Sequence, residues 1–146
     1  MGRVEVVIGI DIGTSSTKGL LVTPGGQVVQ AAQRPHHISL PRPGWAEANA
    51  EGTWWDEVRT ICELLTSSAP GPIIGVCIDG VGPSLVLCDA DLAPLRPAIL
   101  YGIDTRATEE IDLLSRRYGE DAILTHAGKC LTSQALAAQA TVRVRS

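Results

Sequence analysis

The chain has 146 residues, one domain's worth, with 45% hydrophobic and 19% charged side chains, a balance that suits a globular core. A net charge of −4 leaves no basic footprint for nucleic acid, and no apolar run approaches membrane-spanning length. With no Phe and only 3% aromatic residues, the core must be built mostly from aliphatic side chains.

Met1 to Glu5 lead into the first apolar run without the long hydrophobic stretch of a secretory signal. Val6 to Ile10 is β-branched apart from Gly9, so it is expected to be a strand buried on both faces. Asp11 stands at its end. Gly13 follows, to turn the backbone and admit a ligand closely. Thr14, Ser15, Ser16 and Thr17 then bring four hydroxyls in a row, and Lys18 closes the stretch. A concavity of hydroxyl and N–H donors suits phosphate oxygens. A carboxylate beside it suits Mg²⁺, which keeps several waters and takes one or two carboxylates.

Gly19 to Thr23 and Val28 to Ala32 are two further apolar runs, separated by the turn Pro24-Gly25-Gly26-Gln27. The three runs predict an antiparallel meander with a donor-rich first turn. No Gly-Lys-Ser/Thr occurs and no helix follows the glycines, which excludes a Walker loop and a dinucleotide fingerprint. Arg34 to Gly44, with three prolines and the pair His36-His37, is expected to be a surface loop. Asn49 is a candidate N-cap. Trp54, Val58, Ile61, Cys62 and Leu65 recur at helical spacing, predicting an amphipathic helix from Ala50 to about Thr66.

Ile73 to Asp79 reads as a second buried strand. Because a helix precedes it, it should lie parallel to the first and make the sheet mixed. The loop Asp79 to Pro83 follows at its C-terminal end, where ligands of open α/β sheets gather. Ser84 to Cys88 is another expected strand, Pro97 to Leu100 a returning segment, Thr105 to Tyr118 a helix, and Asp121 to Ala127 a short helix. Gln134 to Gln139 is alanine-rich, and the chain runs on to Arg143-Val144-Arg145-Ser146. Cys62, Cys77, Cys88 and Cys130 show no C-x-x-C pair. They are expected to be reduced and mostly buried, as in a cytoplasmic protein.

The Asp11-Ile12-Gly13-Thr14 turn resembles the first phosphate motif of the sugar kinase, actin and heat-shock chaperone ATPase superfamily. Gly44-Trp45-Ala46-Glu47 with Trp54-Trp55, and Arg96-Pro97-Ala98-Ile99 with Tyr101, Asp104 and Arg106, resemble two segments of the FGGY carbohydrate kinases, particularly the xylulose and glycerol types. The resemblance covers nearly the whole chain. It implies an α/β, ribonuclease H-like mixed sheet with flanking helices, residues 1–146 being the N-terminal part of the first kinase domain, without the ATP-side domain.

It further implies an ATP-dependent kinase acting on a hydroxyl of a ketose or polyol, with ATP and Mg²⁺ as cofactors. Asp11 would hold Mg²⁺ through water. Gly13, Thr14, Ser15 and Lys18 would meet the ATP phosphates. Gly82, Pro83 and Asp104 would face the substrate, although larger polar side chains stand at the positions of Gly82 and Pro83 in the xylulose and glycerol types. The family's catalytic base lies far downstream, so none is assigned here and the 146-residue chain alone is expected to be inactive. The rival expectation is a non-catalytic binding module, or a vestigial kinase, completed by forming a homo-oligomer.

Overall fold

A computed structural model describes residues 4–133 and 135–142. It divides into two compact units, one of residues 1–38 and 49–81, the other of residues 39–48 and 82–146.

The first unit holds a four-stranded sheet in which Val28–Pro35 lies beside Ser16–Val22, then Val6–Ile12, then Ile73–Gly80. Strands β1 (Val6–Ile12), β2 (Ser16–Val22) and β3 (Val28–Pro35) form the expected meander, and β5 (Ile73–Gly80) lies parallel to β1. The sheet is therefore mixed, as a helical crossover requires. That crossover is an irregular turn of π-helix (Ala50–Trp55) continuing into α1 (Asp56–Ser67). Asn49 caps it as expected, its side-chain oxygen accepting the N–H of Gly52 at 2.8 Å.

Val58, Ile61 and Leu65 form one buried stripe on α1 and meet Val6, Ile8, Ile10 and Leu21 of the sheet. A side chain at Gly19 would collide with Ile61 and Leu65. The glycine is thus what lets α1 lie this close to β2.

Several sequence expectations fail here for identifiable reasons. The inner strands are covered on one face only: β1 alternates between buried and half-buried residues instead of being buried throughout. On β5, Ile74, Val76 and Ile78 are more than half exposed, because α1 sits over β1, β2 and β3. Trp54 is half-buried and Trp55 exposed, so neither is a core residue. β2 begins at Ser16, three residues before the expected start, which takes Ser16 and Thr17 out of the turn and buries both.

In the second unit, β4 (Glu47–Ala48) pairs with β6 (Ala98–Ile99). Ser84 to Cys88 is not a strand; it contributes isolated bridges from Leu85 to Ile99 and from Cys88 to Pro94. Helices α2 (Thr108–Tyr118), α3 (Glu120–Ala127) and α4 (Leu136–Val142) follow. Ala107, Ala135 and Ala138 make a small core flanked by Ile111, Leu114 and Leu131. Gln134 and the terminal Arg143-Val144-Arg145-Ser146 lie outside the described residues. All four cysteines are unpaired, but Cys77, Cys88 and Cys130 are exposed, against the expectation of burial. Cys62 alone is half-buried, and burial pushes its thiol up.

Candidate functional site

Strands β1 and β2 join through the short loop Gly13-Thr14-Ser15. The Gly13 N–H donates to the Ser16 carbonyl at 3.0 Å, leaving Thr14 and Ser15 as the exposed tip. Neither residue has a positive φ, so the loop is not one of the primed turns that match the strand twist in tight hairpins. Gly13 is needed for space rather than for a left-handed backbone, since a Cβ there would stand 3.1 Å from the Ser16 carbonyl oxygen. Of the four hydroxyls read as turn donors, those of Thr14 and Ser15 remain available. The Thr17 hydroxyl is committed to Glu57 at 2.6 Å.

Asp11 lies inside β1, opposite Lys18 on β2 and opposite Asp79 on β5. All three border a depression of about 610 Å³ on the sheet face away from α1, floored by Gly9, Leu20, Ala31 and Cys77. The missing side chain at Gly9 opens its centre, with nothing within 4 Å of where a Cβ would be. One exposed carboxylate with a second on the next strand and a lysine line this depression, and the hydroxyl-bearing turn lies between Asp11 and Lys18 in the chain. Among the described residues no group of three or more His, Cys, Asp or Glu side chains could cage a metal. The set therefore fits Mg²⁺ only as a partner shared with phosphate oxygens, which is how that ion is usually held.

His36, expected on a surface loop, is buried instead. Its ring reaches the Gly13 carbonyl at 3.1 Å and the Glu57 carboxylate at 2.8 Å. Nothing in local spacing announced this group: Thr17, His36 and Glu57 come from β2, the end of β3 and α1.

The second unit gathers the other sequence motifs into one ion cluster. The Arg106 guanidinium donates to Asp104 at 2.6 and 2.9 Å and to Glu47 at 2.8 Å. Arg96 donates to the same Glu47 oxygen at 2.5 Å. Trp45 lies flat against Arg106, whose guanidinium carbon is 3.8 Å from the ring centroid. Asp104 also accepts the Ala46 and Arg106 N–H groups at 2.7 and 3.0 Å. Burial works against the Asp104 charge, but Arg106 and the two N–H groups outweigh it and hold the carboxyl below the usual range. Asp104 is 1% exposed, so the structure places it inside this cluster rather than at a surface. Glu47 and Trp45, far from Arg106 in the chain, are partners that the sequence did not disclose.

Gly44 begins this segment with a φ of 76°, and a Cβ there would lie 2.7 Å from the Thr105 hydroxyl. Gly82 and Pro83 begin the second stretch of the second unit and are joined by a cis peptide. Neither offers a polar side chain.

The family described as "FGGY family of carbohydrate kinases, N-terminal domain" matches residues 6–138. The chain is similar to the xylulose kinase of Staphylococcus xylosus, 31% identical over 118 residues, covering 81% of this chain and 24% of that protein. It is similar also to the glycerol kinase of Bacillus thuringiensis (strain Al Hakam), 30% identical over 121 residues and covering 80% and 24%. Among solved structures, the xylulose kinase from Rhodospirillum rubrum superposes with a TM-score of 0.85 at 37% identity, over 92% of this chain and 28% of that one. The chain thus spans about a quarter of the length of the curated relatives it matches. The mixed sheet and helices have the ribonuclease H-like fold that those kinases share. With the family match running from β1 into α4, the chain belongs to the FGGY family of carbohydrate kinases.

Proposed function

We propose that residues 1–146 form the N-terminal part of the first domain of an ATP-dependent kinase that phosphorylates a hydroxyl of a ketose or polyol. The observation that carries this reading is the alignment of Asp11 with Lys18 beside an exposed Thr14-Ser15 turn. Phosphoryl transfer depends mainly on positioning and on neutralising phosphate charge, and these residues can serve both ends. Gly13 admits the phosphates closely, Thr14 and Ser15 donate to them, and Lys18 offsets their charge. Asp11 holds Mg²⁺ through its waters; when bound, that ion neutralises charge across the phosphate oxygens.

On the substrate side, Gly82 and Pro83 offer only backbone and shape. Asp104, with both oxygens engaged, acts as the anchor of the Arg106 cluster and positions the chain around it. The names of the relatives, xylulose and glycerol kinases, support a ketose or polyol as substrate. Four unpaired thiols fit a reducing, cytoplasmic setting. No helix among the described residues is long and apolar enough to cross a membrane.

The test is ADP release, over a panel of ketoses and polyols, by the native-length protein that carries residues 1–146, since these residues alone are expected to be inactive. We expect release that requires one of these sugars and is lost in Asp11→Ala. Release that ignores every sugar, or that survives Asp11→Ala, would overturn the reading. The exposed row Ile74, Val76 and Ile78 favours a second reading, a binding module that buries this face in a homo-oligomer. A monodisperse monomer in solution would argue against that.

A further inference from the structure

We propose that His36 is a positioning residue: held by Glu57 and Thr17, it keeps the Gly13–Ser16 turn in its phosphate-receiving shape. This rests on the phosphate reading of that turn given above. The turn has a reason to need a brace. Short hairpin loops usually use at least one positive φ to match the twist of their strands, and none of Gly13, Thr14 and Ser15 takes one. The tip of this turn is Thr-Ser, with none of the Asn, Asp or Gly that hairpin tips favour.

His36 grips the turn at two points, Gly13 and Ser15. Its backbone N–H donates to the Ser15 carbonyl at 2.9 Å, and its Nε2 meets the Gly13 carbonyl at 3.1 Å. A carbonyl oxygen only accepts, so Nε2 must carry a proton. Nδ1 then faces the Glu57 carboxyl at 2.8 Å. Either the ring also carries a proton on Nδ1 or Glu57 carries one; in both states one proton sits between Nδ1 and Oε2. Thr17 donates to the same Oε2 at 2.6 Å and fixes its direction. The His36 and Glu57 side chains are 6% and 14% exposed, so water competes little for these bonds. The chain of contacts thus ties α1 and β2 to the carbonyl of Gly13, two residues beyond Asp11.

The test compares amide hydrogen exchange in the wild-type chain, His36→Ala and His36→Gln, reading the amides of Gly13 and residue 36 against those of Ile8 and Ile10. Gln can place an amide nitrogen near the Nε2 position and restore the bond to Gly13. We expect His36→Ala to speed exchange at the turn amides roughly tenfold, the loss of about one hydrogen bond, with little change at Ile8 and Ile10. His36→Gln should recover part of the protection. Unchanged turn exchange in His36→Ala, or an equal rise at all four amides with no recovery in Gln, would overturn the brace.

Mg·ADP is then titrated into each chain. Weaker binding in Ala than in Gln supports the link to phosphate, and equal binding in all three overturns it. A wild-type turn that ignores Mg·ADP would sink the phosphate reading and with it that link. The exchange comparison would still decide whether His36 braces the turn.

Discussion

Arg106→Ala is expected to destabilise the second unit by about 3–5 kcal/mol, the usual cost of removing one partner from a buried ion pair. The guanidinium is 1% exposed and serves two carboxylates at once, Asp104 (1% exposed) and Glu47 (11% exposed). Deleting it leaves Asp104 charged, buried and held by backbone N–H groups alone. It also removes the cation lying on Trp45. Glu47 keeps Arg96, so the larger share of the loss should come from Asp104. The measurement is urea unfolding followed by Trp45 fluorescence, with Trp54 and Trp55 replaced by Phe in both proteins. A change below 1 kcal/mol would show that the cluster contributes little.

The same cluster sets a pH dependence with a definite sign. The Asp104 carboxyl is held below the usual range in the folded chain. Its contribution is therefore complete above the unfolded carboxylate value, about 4, and is lost as pH falls through the lower folded value. Arg106→Ala should flatten that acid limb, because the guanidinium is the main group favouring the charged form.

The next largest expected effect is Leu65→Ala, at about 2–5 kcal/mol against the first unit. Leu65 is fully buried on α1 against β1 and β2, and Gly19 lets the helix sit close enough to seal it. A cavity there removes contacts from the strands that carry Asp11 and Lys18 and from the helix that carries Glu57. Calorimetry of the variant checks the magnitude. Leu64, on the neighbouring exposed face and 47% accessible, is the control, and Leu64→Ala should cost under 1 kcal/mol.

The meander, the crossover to a parallel strand and α1 were legible because they rest on local signals. Apolar runs, a Pro-Gly-Gly turn and 3-4 spacing act within a few residues. Burial was less legible, since it depends on what lies across the sheet. An apolar strand such as β5 reads alike whether its face is covered or open. Asp11 and Lys18 belong to one short stretch of sequence, and the register sets them side by side. His36 was not legible, because its partners are 21 and 23 residues away and a His-His pair among prolines resembles a loop. Asp104 and Arg106 were read as neighbours, but Glu47 joins them across 59 residues. Ser16 and Thr17 were misread because hydroxyls in a row look alike, while the strand register buries two and leaves two exposed.

The most direct measurement is an NMR titration of the chain with ADP, with and without Mg²⁺, in wild type and Asp11→Ala. We expect shifts centred on the amides of Gly13, Thr14 and Ser15 that strengthen with Mg²⁺ and are lost in Asp11→Ala. Shifts that bypass the turn, or that persist unchanged without the Asp11 carboxylate, would contradict a phosphate site at the end of β1.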